Sequence, residues 1–131
     1  MHTLPSRYLT IITLASATFL GGCNNAPTAK AVSFSQDIQP ILKQHCLECH
    51  DTGGEGAVAS GLNMASYEGL LKGTKFGPVI KAGDSLSSTL IILVDGRADP
   101  SINMPHGNRP PLSKAQVQTL RQWIDQGAAN N

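Results

Sequence analysis

The amino-acid sequence predicts one small all-α domain. The chain has 131 residues, of which 40% are hydrophobic and 15% charged, and this length and composition suit a single globular domain. Apolar residues recur at helical spacing in several segments. No regular alternation of strand and helix patterns, which would predict an α/β sheet, runs along the chain.

The first predicted helix lies in the segment DIQPILKQHC, residues 37–46. Ile38, Ile41 and Leu42 follow one another at helical spacing and form its apolar face. Asp37 is the expected N-cap, which leaves Pro40 in the first turn, where backbone N–H groups have no partner within the helix. We expect the Cys-x-x-Cys-His motif at residues 46–50 to close this helix.

Two shorter helices are predicted in the middle of the chain. The segment GLNMASYEGLLKG, residues 61–73, favours a helix from about Ser66 to Leu71 between glycine-rich turns. The segment GDSLSSTLIILVDG, residues 83–96, predicts a helix capped by Asp84 or Ser85. A buried β-strand over residues 89–94 is the alternative there. The apolar side of that helix would consist of Leu86, Leu90, Leu93 and Val94.

The last predicted helix lies in PPLSKAQVQTLRQWIDQGA, residues 110–128. Ser113 and Gln116 have the spacing of a capping box, and Leu112 can form a hydrophobic staple with Val117. Gly127 supplies the left-handed residue that ends the helix. The apolar face consists of Val117, Leu120, Trp123 and Ile124.

The N-terminal segment MHTLPSRYLTIITLASATFLGGC, residues 1–23, has the layout of an export signal. Arg7 precedes an apolar stretch from Leu9 to Leu20, which is short for a membrane span, and small residues stand before Cys23. The ending Leu-Gly-Gly-Cys resembles the lipobox of bacterial lipoproteins, in which the cysteine is acylated and becomes the first mature residue. An uncleaved anchor, or an ordinary signal peptide with an incidental cysteine, is the alternative.

These features predict three parts of the chain. Residues 1–22 form a signal peptide, residues 23–33 a flexible lipid-anchored tether, and residues 34–131 the folded domain. The predicted location is a bacterial cell envelope, where the lipoprotein faces the periplasm or the cell surface. The formal charge is +1, and no basic stretch interleaved with aromatic residues is present, so we expect no nucleic-acid partner.

The segment QHCLECHD, residues 44–51, contains the residues that could bind a metal or a cofactor. Two cysteines three positions apart, followed by a histidine, can bind zinc, cycle as a redox dithiol or attach a haem. A structural zinc site needs four ligands, and no second Cys pair or His-x-His motif follows. A thioredoxin-like dithiol stands at a strand-to-helix junction, which the pattern does not predict. We therefore favour c-type haem attachment over the other two interpretations.

The spacing of this motif matches the geometry that covalent haem attachment requires. Cys46 and Cys49 lie about one helical turn apart, so their thiols can reach the two vinyl groups on one porphyrin edge. His50 follows directly, which places its imidazole under the iron. Lipidation would use Cys23, and the other two of the three cysteines are both in the motif. The sequence thus predicts one covalent haem c with His50 as an axial ligand to the iron.

The second axial ligand must come from outside the motif. Met104 lies in DPSINMPHGNRPPL, residues 99–112, where prolines stiffen the backbone and can hold a thioether rigidly. We expect Met104 to be this ligand, with His106, or an open or water-occupied position, as the alternatives. Met64 is expected to pack in the core. His45 is expected to face the surface or a haem propionate.

Taken together, these segments resemble a class I cytochrome c, and more closely the planctomycete-type cytochrome c domain. The resemblance covers residues 34–128 and is carried by FSQDIQPILKQHCLECH, GLNMASYEGLLKG, KAGDSLSSTLI, the Met-Pro pair and PLSKAQVQTLRQWIDQGA. It implies a small cytochrome c fold of three to five helices around one covalently attached haem c.

The resemblance also implies specific contacts. His50 would be the proximal ligand and Met104 the distal one. The first and last helices would cross, so that Phe34 or Ile38 meets Trp123. Family members commonly read Met-Pro-Pro, whereas this chain has a histidine after the Met-Pro pair, which places a competing ligand beside the expected one.

The expected function is one-electron transfer between extracytoplasmic redox proteins, without an enzymatic reaction. Saturated His/Met ligation leaves no position on the iron for a small molecule. We expect a monomer that is held at the membrane by the lipid on Cys23 and that exchanges electrons near Cys46 and Cys49. The alternatives are a haem-based sensor or peroxidase-like enzyme with a labile distal ligand, and a binding module in which the haem is structural.

Overall fold

The computed structural model describes residues 30–131, so the predicted signal peptide, Cys23 and most of the tether lie outside the described residues. A π-helical turn, Phe34–Ile38, comes first. Six α-helices follow: α1 Gln39–His45, α2 Leu47–His50, α3 Glu55–Ser60, α4 Tyr67–Lys72, α5 Thr89–Val94 and α6 Lys114–Asp125. This part of the chain contains no strand, only an isolated bridge between Thr74 and Gly77.

The all-α prediction is confirmed, although the helices are shorter and more numerous than the three to five expected. None of the helices in the described part is long and apolar enough to span a membrane.

The first helical stretch begins earlier than predicted. Ser33, not Asp37, is the N-cap, and the Asp37 carboxylate instead accepts the Ser33 backbone N–H at 2.8 Å. The expectation that Asp37 caps the helix is therefore wrong. Pro40 has no N–H to donate, and the wider turn before it, in which the Gln39 N–H donates to the Phe34 carbonyl, leads into α1.

The single helix that was expected to end in the cysteine motif is divided at Cys46. The φ and ψ angles of this residue, −122° and −41°, depart from helical values, and α2 then carries the rest of the motif. Helix α3 was not predicted, because none of its residues is buried and it therefore shows no apolar periodicity.

Helix α5 is shorter than predicted, and the alternative β-strand over residues 89–94 is wrong. Residues 84–88 form turns instead, in which Asp84 accepts the Ser87 N–H at 3.0 Å through its carboxylate and the Ser88 hydroxyl at 2.8 Å through its carbonyl. Serine and aspartate side chains compete with the helix for backbone partners in this way. Ser88 is the N-cap, and Leu86, expected on the apolar face, is 67% exposed.

Helices α4 and α6 confirm the sequence interpretation. Ser66 caps α4 by accepting the Gly69 N–H at 3.0 Å. In α6 both halves of the capping box between Ser113 and Gln116 are present, and Gly127 follows the helix with a φ of 100°. The four predicted apolar positions of α6 are all buried, namely Val117, Leu120, Trp123 and Ile124.

The first and last helical segments meet through aromatic side chains. The ring centroids of Phe34 and Trp123 are 5.6 Å apart, which confirms the predicted contact, and Tyr67 packs edge-on against Phe34 at 5.2 Å. The Trp123 indole donates to the Ala129 carbonyl at 2.9 Å, and the Tyr67 hydroxyl donates to the Ala128 carbonyl at 2.8 Å. This aromatic cluster holds α4, α6 and the N-terminal turn together. The cysteine motif is not part of the cluster.

Candidate haem-binding site

One cavity of about 540 Å³ brings together the residues that the sequence analysis singled out. Its size is within the range of cofactor sites, about 300–1,000 Å³. The walls are mainly apolar and come from α2, α3, the segment 74–79, α5 and the loop before α6. The predicted haem residues among the lining are Cys46, Cys49, His50 and Met104.

Backbone contacts fix the orientation of His50. Its Nδ1 lies 3.2 Å from the Leu62 carbonyl oxygen, and the His50 carbonyl accepts the Met64 N–H at 2.7 Å. A carbonyl oxygen can only accept, so Nδ1 carries a proton, and in the neutral imidazole Nε2 then keeps its lone pair. A metal-binding histidine usually has this arrangement, in which one nitrogen donates to the protein and the other is available to the metal.

Helix α3 packs directly against the imidazole. A Cβ atom at Gly56 would lie 2.9 Å from Cε1 of His50, a distance that real Cβ atoms essentially never show, and 3.0 Å from Nε2, which is tighter than most real contacts. Glycine is therefore required at position 56 to let α3 approach the ring. The sequence offered no signal for this role, because the contact joins α2 to α3 and α3 was not predicted.

Both motif cysteines are free thiols that line the cavity. Burial raises the pKa of Cys46 to about 11. Partial desolvation, and then a hydrogen bond of 3.5 Å to the Glu55 carboxylate, raise the pKa of Cys49 as well. Both side chains are thus neutral at physiological pH.

These features disfavour the two other interpretations of the motif. Redox dithiols of the thioredoxin type have a lowered thiol pKa and stand after a strand, whereas here both pKa values are raised and residues 30–131 contain no strand. In the same range, no group of three or more His, Cys, Asp or Glu side chains is close enough to hold a metal ion. Within these residues the geometry therefore supports neither a thioredoxin-type dithiol nor a metal site of three or more such ligands.

The candidate second ligands all line the cavity, but in different settings. Met104 is half-buried and packs against the core, and its backbone N–H donates to the Leu93 carbonyl at 3.1 Å. Met64 is 5% exposed and is a core residue, as expected. His106 is exposed, and His45 is half-buried with its Nε2 3.1 Å from the Gln116 amide nitrogen.

An ion pair joins the cysteine motif to the loop that carries Met104. Arg109 Nη2 lies 2.6 Å from Glu48 Oε1, and Nε lies 3.0 Å from Oε2, so the guanidinium binds both carboxylate oxygens. The hydrogen bonds and charge of Arg109 lower the pKa of Glu48. Because the partners are 61 positions apart, sequence reasoning did not find this contact.

The donor set suits a covalently attached haem. Two cysteines, a histidine whose Nδ1 is bonded to the backbone and a methionine line one apolar cavity, and these are the residue types that c-type attachment and His/Met ligation require. A helical domain with this site has the features of a c-type cytochrome.

Comparison with known families identifies this class more closely. Residues 46–107 match the family model described as planctomycete cytochrome C, and this match supports a planctomycete-type cytochrome c domain in that part of the chain. Such a domain implies a covalently bound haem c. No curated protein and no solved structure matches the chain.

Proposed function

We propose that the protein is a one-electron carrier with a single haem c, ligated by His50 and Met104. The observation that carries the proposal is that both side chains line the same apolar cavity as the two motif cysteines. His/Met ligation is the arrangement of electron-transfer cytochromes, and it leaves no iron position for a substrate. The protein is therefore not an enzyme in this proposal, and its partners are other redox proteins, which it meets as a monomer.

The protein's own residues would orient the His50 ring and exclude water from the haem cavity. Leu62 holds the His50 ring through its carbonyl, and α3 packs against the ring at Gly56. The apolar walls would exclude water from the bound haem. This would keep the reorganisation energy of electron transfer small. The haem would supply the ferrous/ferric couple itself.

The visible spectrum of the purified holoprotein tests this function. We expect a low-spin spectrum in both oxidation states that does not change under carbon monoxide, because both axial positions are filled. Ready binding of carbon monoxide by the reduced wild type would contradict the carrier proposal. It would favour the haem sensor or peroxidase-like enzyme, since both need a labile distal position.

We further propose that a lipid on Cys23 holds the domain at a bacterial membrane, with residues 1–22 removed as a signal peptide. The support is the Leu-Gly-Gly-Cys ending after an apolar stretch. Cys23→Ser should give either an unprocessed precursor or a released protein, with the haem spectrum of the wild type. Mass spectrometry of the mature N-terminus checks this, and cleavage at any other position would refute the anchor without affecting the haem proposal.

A further inference from the structure

The distal loop, defined here as residues 99–110, has few polar connections to the rest of the domain. Within residues 30–131 there are two. The Met104 N–H donates to the Leu93 carbonyl, and the Arg109 guanidinium binds the Glu48 carboxylate. The other hydrogen bonds of the loop are internal, such as that from Ile102 N–H to the Asp99 carbonyl at 2.9 Å.

The loop borders open space on the side that faces away from the haem cavity. A second cleft of about 550 Å³ lies beyond it, between the loop and α6. The two cavities share six lining residues, of which Met104, Pro105 and Arg109 lie in the loop, so this part of the loop helps to separate them. The loop thus has space behind it into which the thioether could withdraw from the haem cavity.

The Arg109–Glu48 pair is placed to oppose such a movement. Glu48 lies between the two motif cysteines on α2, and Arg109 is five positions after Met104 on the loop. A bidentate guanidinium–carboxylate contact restrains both distance and angle, unlike a single point charge. The pair therefore connects the element that attaches the haem to the element that would supply its distal ligand.

We propose that the Arg109–Glu48 ion pair is a positioning device that keeps Met104 over the haem cavity and so sets how often the distal position opens. This inference rests on the proposed His50/Met104 ligation. Neither residue needs to touch the iron, and Glu48 lines neither cavity. Weakening the pair increases the fraction of molecules with an open site, and the apparent affinity for an added ligand rises in proportion to that fraction.

Imidazole binding to the ferric holoprotein measures this opening, because imidazole competes with the thioether for the sixth position. In Glu48→Gln we expect the apparent affinity to rise about two- to fivefold, the size that exposed ion pairs allow. Lys81→Gln is the matched control, since it removes another exposed ion pair, Lys81–Asp84 at 2.8 Å, that borders neither cavity. This control should bind imidazole as the wild type does.

Salt dependence separates an electrostatic restraint from a general loosening of the fold. The Debye length falls to about 3 Å at 1 M salt, so an exposed ion pair contributes less there than at physiological ionic strength. We expect the difference between Glu48→Gln and the wild type to shrink at 1 M salt. If Glu48→Gln lowers haem attachment, Arg109→Gln breaks the same pair from the loop side, outside the cysteine motif, and carries the test.

Two results would overturn the inference, and a third distinguishes it from a failure of the proposed ligation. Equal imidazole affinity of the wild type and the pair variants refutes the positioning role, as does a difference that persists unchanged at 1 M salt. Met104→Ala supplies the reference for a fully open site. If the wild type already binds imidazole as tightly as Met104→Ala, Met104 is not the ligand and both proposals fail.

Discussion

Replacing Cys46 and Cys49 together by serine should abolish covalent haem attachment completely. Both thiols line the haem cavity, and serine hydroxyls cannot form the thioether bonds that attach the cofactor. The measurement is a haem stain after denaturing electrophoresis, in which the wild-type band should stain and the double variant should not. Met104→Ala is the control, because loss of an axial ligand leaves both thioether bonds intact, and its band should stay stained.

The same double variant should also lose its cooperative folding. Without the haem, the apolar walls of the cavity of about 540 Å³ lose the largest apolar group that would cover them, and apolar burial is the main favourable term in folding. The whole stability of a typical domain is only about 5–15 kcal/mol. Thermal unfolding followed by circular dichroism checks this. A haem-free variant that melts as cooperatively, and at the same temperature, as the holoprotein would contradict the prediction, as would a stained band in the double variant.

Substitution of Met104 should change the potential and the ligand binding of the iron. Imidazole stabilises ferric iron relative to a thioether, so Met104→His should lower the midpoint potential substantially, within the range of about 0.8 V over which axial ligands spread haem potentials. Met104→Ala should open the site to carbon monoxide. Redox titration and the spectrum of the reduced protein under carbon monoxide measure the two effects.

Two control variants decide between the candidate ligands that line the cavity. Met64→Leu and His106→Ala should keep the far-red charge-transfer band that a methionine–iron bond gives to the oxidised protein, and Met104→Ala should lose it. Absence of that band in the wild type would refute Met104 as the ligand. The same conclusion would follow if the band vanished in Met64→Leu but survived in Met104→Ala.

Local sequence patterns correctly predicted the helices whose caps and apolar faces are specified by residues close together in the chain. Helix α6 has a capping box, a buried stripe and a glycine stop within one short segment, and each was found as expected. Ser66 likewise predicted the start of α4. The boundaries failed where neighbouring residues compete for the same backbone groups, as at Asp37 and at Asp84, because such competition is decided by the surrounding structure.

The sequence by itself determined the chemistry of the motif. Cys46, Cys49 and His50 lie within five consecutive positions, so the chain itself keeps them close together even though the helix is divided at Cys46. It also identified Met104 as a candidate ligand by its residue type and its proline-rich surroundings. Neither inference needed a contact between distant parts of the chain.

Only the tertiary structure decided what surrounds these residues. The tautomer of His50 depends on the Leu62 carbonyl, the approach of α3 depends on the absence of a side chain at Gly56, and the loop of Met104 is connected to the motif through Arg109. Each contact joins elements that are separated in the chain, and no periodic or capping pattern encodes such a pairing. Residue types can be read from one segment, whereas their orientation requires packing between several.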